Sequence, residues 1–309
     1  MNNRFAVIDL GTNTFHLLIA DVTADGFNEI SYDHEAVKLG EGGMSKGFIQ
    51  QNAFDRGVKT MKRFAEKISQ YNVTEVKAIA TSALRNARNT QEFVTTVKKN
   101  TGIEVQIIDG IKEAEYIYEG VKVSGALSQS TSVIMDIGGG SVEFIICTNE
   151  DILWKQSFEI GAARLIEKFH QVDPIPTQSV QQLHQYLDEN LQPLFNAAKI
   201  FPIDKLIGSA GAFETFVEVI ELEQQPVFDI KQLRTCNFNL NDFTRITDRL
   251  INSSSAERGS ISGIIALRVD MIVVASIFSR YVLEKLGIQN IGMSTYSLKE
   301  GVMTGLMRQ

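Results

Sequence analysis

The sequence predicts an α/β protein built from two similar halves, and two observations carry this prediction. A short pattern occurs twice: an apolar strand that ends in Asp, a Gly-rich turn, and a second apolar strand. The two copies are Asp9-Leu10-Gly11-Thr12-Asn13-Thr14 and Asp136-Ile137-Gly138-Gly139-Gly140-Ser141. In each half, three predicted strands are followed by alternating helices and strands. Duplication explains this repetition better than chance does.

The first half is predicted to begin with three strands. Residues 4–10, 14–21 and 27–37 are rich in apolar and β-branched residues, with Gly, Asp and Asn between them. Apolar residues recur at helical spacing over residues 51–71, which predicts a helix. The remaining predicted elements of this half are a strand at 75–80, a helix at 89–100, a strand at 104–108 and a helix at 112–123.

The second half repeats that order and carries an insertion. Its predicted elements are strands at 131–137, 141–148 and 151–158, helices at 161–170 and 177–198, a strand at 204–209 and a helix at 211–220. A largely helical insertion over about 228–286 follows. A last strand at 289–292 and a closing helix at 296–307 complete the predicted order.

Three strands followed by alternating helices and strands describe a ribonuclease-H-like unit. Two such units face each other across a cleft in the actin-like ATPase fold, and this is the predicted architecture. At 309 residues the chain exceeds the size of a usual single core, which also favours two domains. We expect a first domain of residues 1–124 plus 296–309, with the closing helix returning to it, and a second domain of residues 125–295.

Composition excludes several classes of protein. With 44% hydrophobic residues, 22% charged residues and 5 Pro, the chain is typical of a globular protein with little disorder. A net charge of -7 disfavours nonspecific nucleic-acid binding, which depends on Lys and Arg. Cys147 and Cys236 give neither a disulfide framework nor a metal-binding spacing, which is typical of a reducing compartment.

No membrane partner is predicted. The longest apolar stretch, 271–278, is too short to span a bilayer and predicts a buried helix. The first residues contain no signal-peptide core, because the apolar run that follows them is interrupted by Asp9. We therefore expect a cytoplasmic protein. Apolar residues in the insertion leave a homodimer open.

The repeated turns are candidate phosphate-binding sites. Each places an Asp and exposed backbone N–H groups at a tight turn, which suits a phosphate and its metal ion. Residues 208–211 close another strand and open a helix, whose free N–H groups suit an anion, although these small residues could equally serve close packing. The candidate phosphate-binding residues are Gly11, Thr12, Asn13, Thr14, Gly138, Gly139, Gly140, Ser141, Gly208, Ser209 and Gly211.

Five motifs together resemble those of the exopolyphosphatase and guanosine pentaphosphate phosphohydrolase family. They are residues 9–16, 81–87, Glu113-Ala114, 136–143 and 161–165, so the resemblance covers nearly the whole chain. It implies hydrolysis of a terminal phosphoanhydride bond, with a divalent cation, in a cleft between two actin-like domains. The sequence departs from the family pattern at Ser262, Ser297 and Lys299.

The resemblance also implies roles for individual residues. Glu113 lies where the family's proposed catalytic base lies, and Arg85 resembles its phosphate-contacting arginine, whose fork of donors suits phosphate oxygens. Asp136 and Glu143 resemble its metal and water organisers, and Asp9 is the equivalent Asp of the first turn. Mg²⁺ and Mn²⁺ are equally compatible with oxygen ligands of this kind.

The predicted function is metal-dependent release of orthophosphate from the end of inorganic polyphosphate. Guanosine pentaphosphate is the alternative substrate, and the sequence does not separate the two. A kinase of the actin-like class is a second hypothesis, although no clear adenosine-binding segment is found. A sensor that binds polyphosphate or an alarmone without hydrolysing it is a third.

Overall fold

A computed structural model describes residues 3–23, 26–209 and 211–307. The strands of these residues form two sheets. They are β1 (Asn3–Leu10), β2 (Phe15–Thr23), β3 (Gly26–Glu35), β4 (Glu75–Ala80), β5 (Val105–Ile107), β6 (Ser132–Ile137), β7 (Val142–Cys147), β8 (Ile152–Phe158), β9 (Lys205–Ser209), β10 (Thr235–Phe238) and β11 (Asn290–Ser294).

The helices alternate with these strands as predicted in both halves. They are α1 (Gln51–Ser69), α2 (Ser82–Asn86), α3 (Thr90–Thr101), α4 (Gly110–Ser124), α5 (Ala162–Phe169), α6 (Thr177–Asn190), α7 (Gln192–Ile200), α8 (Gly211–Gln224), α9 (Leu240–Asn252), α10 (Ser255–Gly259), α11 (Met271–Leu286) and α12 (Leu298–Met307). A short 3₁₀ helix, Ile230–Gln232, precedes β10.

The chain divides into two structural units. Unit 1 comprises Met1–Gly120, Gly138–Gly140 and Leu298–Gln309, and unit 2 comprises Val121–Ile137 and Ser141–Ser297. The terminal residues 1–2 and 308–309, which the predicted first domain includes, lie outside the described residues.

Unit 1 contains a five-stranded sheet in the order β3-β2-β1-β4-β5. β1, β2 and β3 form an antiparallel meander, whereas β4 and β5 run parallel to β1. The apolar face of α1 is buried on this sheet, and Phe54 meets Phe93 of α3 edge to face with ring centroids 5.1 Å apart. The 3.6-residue spacing of these apolar residues explains why the segment folds as a helix.

The C-terminal helix α12 is part of unit 1 and packs against β1, β2 and β3. It crosses α4 at Gly301, where an added β carbon would lie 1.7 Å from the Tyr116 carbonyl oxygen. Only glycine permits two helix backbones to approach this closely. Gly301 therefore lets α12 pack directly against α4.

Unit 2 contains a six-stranded sheet in the order β10-β11-β9-β6-β7-β8. Without β10, this is the strand order of unit 1, because β6, β7 and β8 form the meander and β9 and β11 follow in parallel. The two units are thus ribonuclease-H-like, as predicted for an actin-like ATPase fold. Every residue of β6 and β7 is buried, because other elements cover both faces of these strands.

Three features differ from the sequence predictions, two of them in unit 2 and one in unit 1. The helix predicted at 177–198 is broken at Leu191 into α6 and α7, because Pro193 has no N–H to continue the first helix and instead suits the first turn of a new one. The insertion is helical except for β10, a four-residue edge strand too short for periodicity to reveal. Helix α2 was not predicted for the same reason.

The longest apolar segment forms α11, and eleven of its residues are buried in the core of unit 2. This confirms the prediction of a buried helix. Among the described residues, no helix combines the length and the apolar character needed to cross a bilayer.

An ion pair between the buried Arg258 guanidinium and the Asp173 carboxylate, whose side chain is 29% exposed, joins the segment before α6 to the insertion. Arg258 is completely buried, and its Nη2 lies 2.6 Å from Asp173 Oδ1. The same guanidinium donates to the carbonyl oxygens of Val269 and Ser253, and the Ser255 N–H donates to Asp173. Burial alone would raise the pKa of Asp173, but the hydrogen bonds from Arg258 and Ser255 outweigh it and hold that pKa below 3.8.

We predict that Asp173→Asn lowers the free energy of unfolding by about 1.5–3 kcal/mol at neutral pH, because the buried Arg258 guanidinium loses its closer carboxylate and keeps the Asp270 carboxylate at 3.6 Å. A depressed native pKa stabilises the fold fully above the ordinary pKa, and this contribution is lost as pH falls through the native value. The difference between wild type and variant should therefore shrink as pH falls below about 3.8. Urea unfolding of wild type and Asp173→Asn at a series of pH values measures this difference in the free energy of unfolding.

The matched control is Asp242→Asn, which removes a surface ion pair with Arg245 in the same unit. This variant should lose no more than about 1 kcal/mol, since exposed pairs contribute little. Equal destabilisation by both substitutions would contradict the stabilising role assigned to the ion pair of Arg258 and Asp173.

Candidate active site

The two Gly-rich turns contact each other within unit 1. The turn Gly138–Gly140 packs on the first turn so closely that a β carbon on Gly139 would lie 2.4 Å from Asn13 Nδ2 and 3.0 Å from Thr12 Cβ. The structure thus brings together the two segments that the sequence repeat singled out.

The first turn is held by backbone hydrogen bonds. Gly11 N–H donates to the Thr14 carbonyl at 3.1 Å, and the carbonyls of Thr12 and Asn13 accept from Gly40 and Lys38. The Gly11 N–H therefore shapes the turn itself. Contact of residues 11–14 with phosphate stays a prediction.

Helix α2 connects the second turn to the predicted catalytic pair. At its first residue, Ser82 Oγ lies 2.5 Å from where a Gly140 β carbon would be. One turn later, Arg85 Nη1 donates to Glu113 Oε2 at 2.9 Å and to the Ile108 carbonyl at 3.1 Å. Glu113 is 7% exposed. The structure therefore places the predicted base and the predicted phosphate-contacting arginine in direct contact.

Glu113 is positioned by the start of α4. Its N–H donates to the Asp109 carbonyl, and the Asp109 side chain accepts from the Lys112 N–H, as an N-cap residue does. A carboxylate in the first helical turn is also stabilised by the helix dipole. The local sequence therefore fixes Glu113 at a defined helix end.

In unit 2, Asp136 and Glu143 lie directly opposite each other on the antiparallel strands β6 and β7. Opposite residues of such a pair project from the same sheet face with β carbons about 5 Å apart. Both carboxylates are buried, with exposures of 6% and 1%. The role of both acids as metal ligands, which the resemblance implies, stays a prediction.

Hydroxyl groups hold both carboxylates. Ser209 and Ser297 each donate to Asp136 Oδ2 at 2.7 Å, and Ser157 donates to Glu143 Oε1 at 2.6 Å. Ser209 is completely buried, so its side chain serves Asp136. The predicted contact of Ser209 with phosphate would then come from its backbone.

The turn after β9 shows close packing, whereas its contact with phosphate stays a prediction. A β carbon on Gly208 would lie 1.9 Å from the Phe213 ring, so Gly208 permits close packing of strand and helix. At Gly211, the first residue of α8, a β carbon would lie 2.0 Å from an Arg268 guanidinium nitrogen. Ala210 lies outside the described residues.

Arg268 brings a positive charge to the amino end of α8. Its guanidinium also donates to Thr215 Oγ1 at 2.6 Å and to Glu214 Oε2 at 3.1 Å. Arg268 was not a predicted site residue, because it lies 57 residues beyond Gly211 in the insertion and no local pattern connects the two.

Two of the supporting serines were also absent from the predicted site. Ser157 lies opposite Glu143 on β8, and the strand pattern would have found it only with the β7–β8 register known. Ser297 was noted as a departure from a family motif, but its contact with Asp136 is visible only in the fold.

A metal site requires several ligand side chains close together. Across residues 3–23, 26–209 and 211–307, no three His, Cys, Asp or Glu side chains are grouped closely enough to hold a metal ion. Asp136 and Glu143 nevertheless form an opposed pair of buried carboxylates, which suits a hard cation that takes further ligands from water or phosphate. This donor set fits a divalent cation.

Two ribonuclease-H-like units, with a Gly-rich turn after the first strand of each, define an actin-like protein that binds phosphoryl groups. The description "Ppx/GppA phosphatase family" belongs to the family model that matches residues 18–309. The chain belongs to this family. It is therefore an enzyme of the exopolyphosphatase type, which hydrolyses phosphoanhydride bonds, and phosphatases of this family generally depend on a divalent metal.

Similar proteins span the same fold. A crystal structure of an exopolyphosphatase from Cytophaga hutchinsonii shares 42% identity and a TM-score of 0.96, covering 99% of this chain and 98% of that one. Exopolyphosphatase 1 of Mycobacterium tuberculosis is 26% identical, over 97% of this chain and 87% of its own length. A bifunctional 3-dehydroquinate synthase/phosphatase of Fusobacterium nucleatum is 32% identical over 91% of this chain, which spans 43% of that relative.

We predict that Gly139→Ala lowers activity at least about tenfold and destabilises unit 1 by about 1–3 kcal/mol, because the new methyl group would overlap Asn13. Phosphate release and thermal melting measure the two effects. The matched control is Gly305→Ala in α12, where a β carbon would make an ordinary 3.4 Å contact with Tyr116. Wild-type activity in Gly139→Ala would contradict the importance of the turn contact.

We predict that Ser297→Ala lowers kcat about threefold to tenfold while KM for the phosphorylated substrate changes little, because Asp136 loses one of the hydrogen bonds that orient it. The divalent-cation concentration that gives half-maximal activity should rise. Ser297→Thr, which keeps the hydroxyl, should retain most of the wild-type activity. A purely structural role would instead lower the melting temperature and leave the cation dependence unchanged.

Proposed function

We propose that this enzyme removes terminal phosphoryl groups from inorganic polyphosphate and releases orthophosphate. The observation that carries the proposal is α2, which places Ser82 against the Gly138–Gly140 turn and Arg85 against Glu113. Phosphate-binding turns, a guanidinium and a carboxylate base therefore belong to one structural unit. Similar proteins named exopolyphosphatases support the choice of substrate.

Glu113 acts as the general base in this proposal. It orients a water molecule and accepts its proton as the water oxygen forms a bond to the terminal phosphorus. The bond between that phosphorus and the bridging oxygen breaks, and the bridging oxygen leaves on a chain shortened by one phosphoryl group.

Arg85 has two tasks in the proposed reaction. Its contacts with Glu113 and with the Ile108 carbonyl come from Nη1, and they hold the carboxylate in one orientation. A guanidinium carries five N–H donors in a planar fork, which also suits the oxygens of a phosphoryl group. The positive charge opposes the negative charge that the terminal group carries.

A divalent cation, Mg²⁺ or Mn²⁺, is the proposed cofactor. Asp136 and Glu143 would hold it, while Ser209, Ser297 and Ser157 orient their carboxylates. When bound, such a cation neutralises charge on phosphate oxygens. Asp9, the residue before the last one of β1, is a proposed third acidic residue near the first turn.

Guanosine pentaphosphate is the alternative substrate, because it also ends in a phosphoanhydride.

We further propose a cytoplasmic location for the enzyme, which is consistent with its two free cysteines. Burial raises the pKa of the Cys147 thiol to about 12 and keeps this thiol unreactive. The proposed domains are residues 1–124 with 296–309, and residues 125–295. A homodimer stays an open prediction, and neither nucleic acid nor membrane is a proposed partner.

We predict that Glu113→Gln lowers kcat for phosphate release at least about 100-fold, because glutamine cannot accept the proton. Long-chain polyphosphate, guanosine pentaphosphate and ATP are assayed separately with Mg²⁺, with Mn²⁺ and with EDTA. Binding of polyphosphate should persist in this variant.

The control is Glu115→Gln on the same helix, which removes a surface ion pair with Lys112 and should leave turnover unchanged. Full activity of Glu113→Gln would exclude Glu113 as the base. Metal-dependent release from guanosine pentaphosphate but not from polyphosphate would transfer the proposal to the alternative substrate.

A further inference from the structure

A polar groove of about 570 Å³ lies in unit 2, away from the residues assigned to catalysis. It opens at the amino ends of the parallel strands β6, β9 and β11, at Ser132, Lys205 and Asn290. Asp136 and Ser209 lie at the opposite ends of β6 and β9. At about 3.3 Å per residue, the two ends of β9 are about 13 Å apart.

The side chains of the groove converge on one sheet face. Ser132, Lys205 and Asn290 are register partners across β6, β9 and β11, so all three project from the same face. Asn237 of β10 is opposite Gly292 and joins them. Hydroxyl and amide groups therefore surround a single lysine.

Gly292 provides the space that the lysine occupies. It lies within β11, where a β carbon would be 2.9 Å from Lys205 Cε and 2.8 Å from Asn237 Oδ1. Glycine inside a strand weakens the strand and often marks a close approach. Because Gly292 has no side chain, the aliphatic part of Lys205 can pass over β11, from β9 towards the edge strand β10.

The Lys205 amino group has no anionic partner in the described part of the chain. No ion pair or hydrogen bond to it occurs among residues 3–23, 26–209 and 211–307, although Asp204 also borders the groove. The side chain is half-buried, and this burial lowers the pKa of Lys205 below 10.5, with a small opposing effect from Cys236. A partly desolvated ammonium group without a counter-ion gains stability from a bound anion.

We propose that this groove binds a small organic anion, whose phosphoryl or carboxylate group pairs with Lys205 and whose other polar atoms bond to the surrounding hydroxyl and amide groups. The volume falls within the range of small-molecule sites. This second site does not depend on the substrate proposed for the enzyme, because none of its residues belongs to the catalytic set.

The test uses the intact 309-residue chain with three probes: inorganic phosphate, adenosine 5′-monophosphate and citrate. Acetylation of individual lysines is followed by mass spectrometry with and without each probe at equal ionic strength. At least one probe should slow acetylation of Lys205 about threefold or more, while the exposed Lys231 in the same unit reacts unchanged.

Calorimetric titration of the protecting probe then compares wild type with Lys205→Met and with the control Lys231→Met. Met keeps most of the apolar stem but removes the charge, so binding should weaken at least about tenfold in Lys205→Met alone. Coincident melting curves establish that both variants are folded.

Protection by phosphate and adenosine monophosphate assigns a phosphoryl ligand, and protection by citrate alone assigns a carboxylate. Equal affinity in Lys205→Met would show that the probe binds elsewhere and would overturn the proposal. Failure of all three probes to protect Lys205 up to about 10 mM would also overturn it.

Discussion

The contact between the Gly138–Gly140 turn and Thr12-Asn13 is the constraint on which the site depends. A β carbon at Gly139 would displace the Asn13 side chain, so the close approach of the two turns depends on glycine at this position. The second turn belongs to unit 1 although the strands that it joins, β6 and β7, belong to unit 2. Its three residues are therefore fixed by packing in one unit and by strand ends in the other.

Glu113 accepts a hydrogen bond from a charged donor, whereas Asp136 and Glu143 accept hydrogen bonds from neutral hydroxyl groups. Glu113 receives a guanidinium, whereas the described hydrogen bonds to Asp136 and Glu143 come from serine hydroxyls. A hydroxyl donor stabilises a carboxylate without neutralising it. Two buried carboxylates that face each other, as on β6 and β7, are costly in their charged form unless a cation compensates them. Orientation by neutral donors is the arrangement that a cation site requires.

The sequence predicted those parts of the fold that repeat or that are local. The doubled turn predicted two units with the same strand order, whereas the opposition of Asp136 and Glu143 follows from the register of β6 and β7. Arg85 and Glu113 are 28 residues apart, and only the resemblance to a family suggested that they act together.

Other features required the folded chain. Ser157 depends on the register of a third strand, Ser297 reaches Asp136 across 161 residues, and Arg268 reaches Gly211 from the insertion. The four residues of β10 form a strand because β11 offers an edge, which is a tertiary effect that local pattern does not contain.

The return of α12 to unit 1 has a consequence for synthesis. A ribosome delivers β1 to β5 first, yet the apolar residues that pack beneath α12 stay uncovered until the last helix has left the exit tunnel. Gly301 can lie against Tyr116 only after almost all of unit 2 has been translated. The nascent first half must therefore remain unaggregated while incomplete, so its yield in a cell depends on translation speed and on chaperones that shield exposed apolar surface.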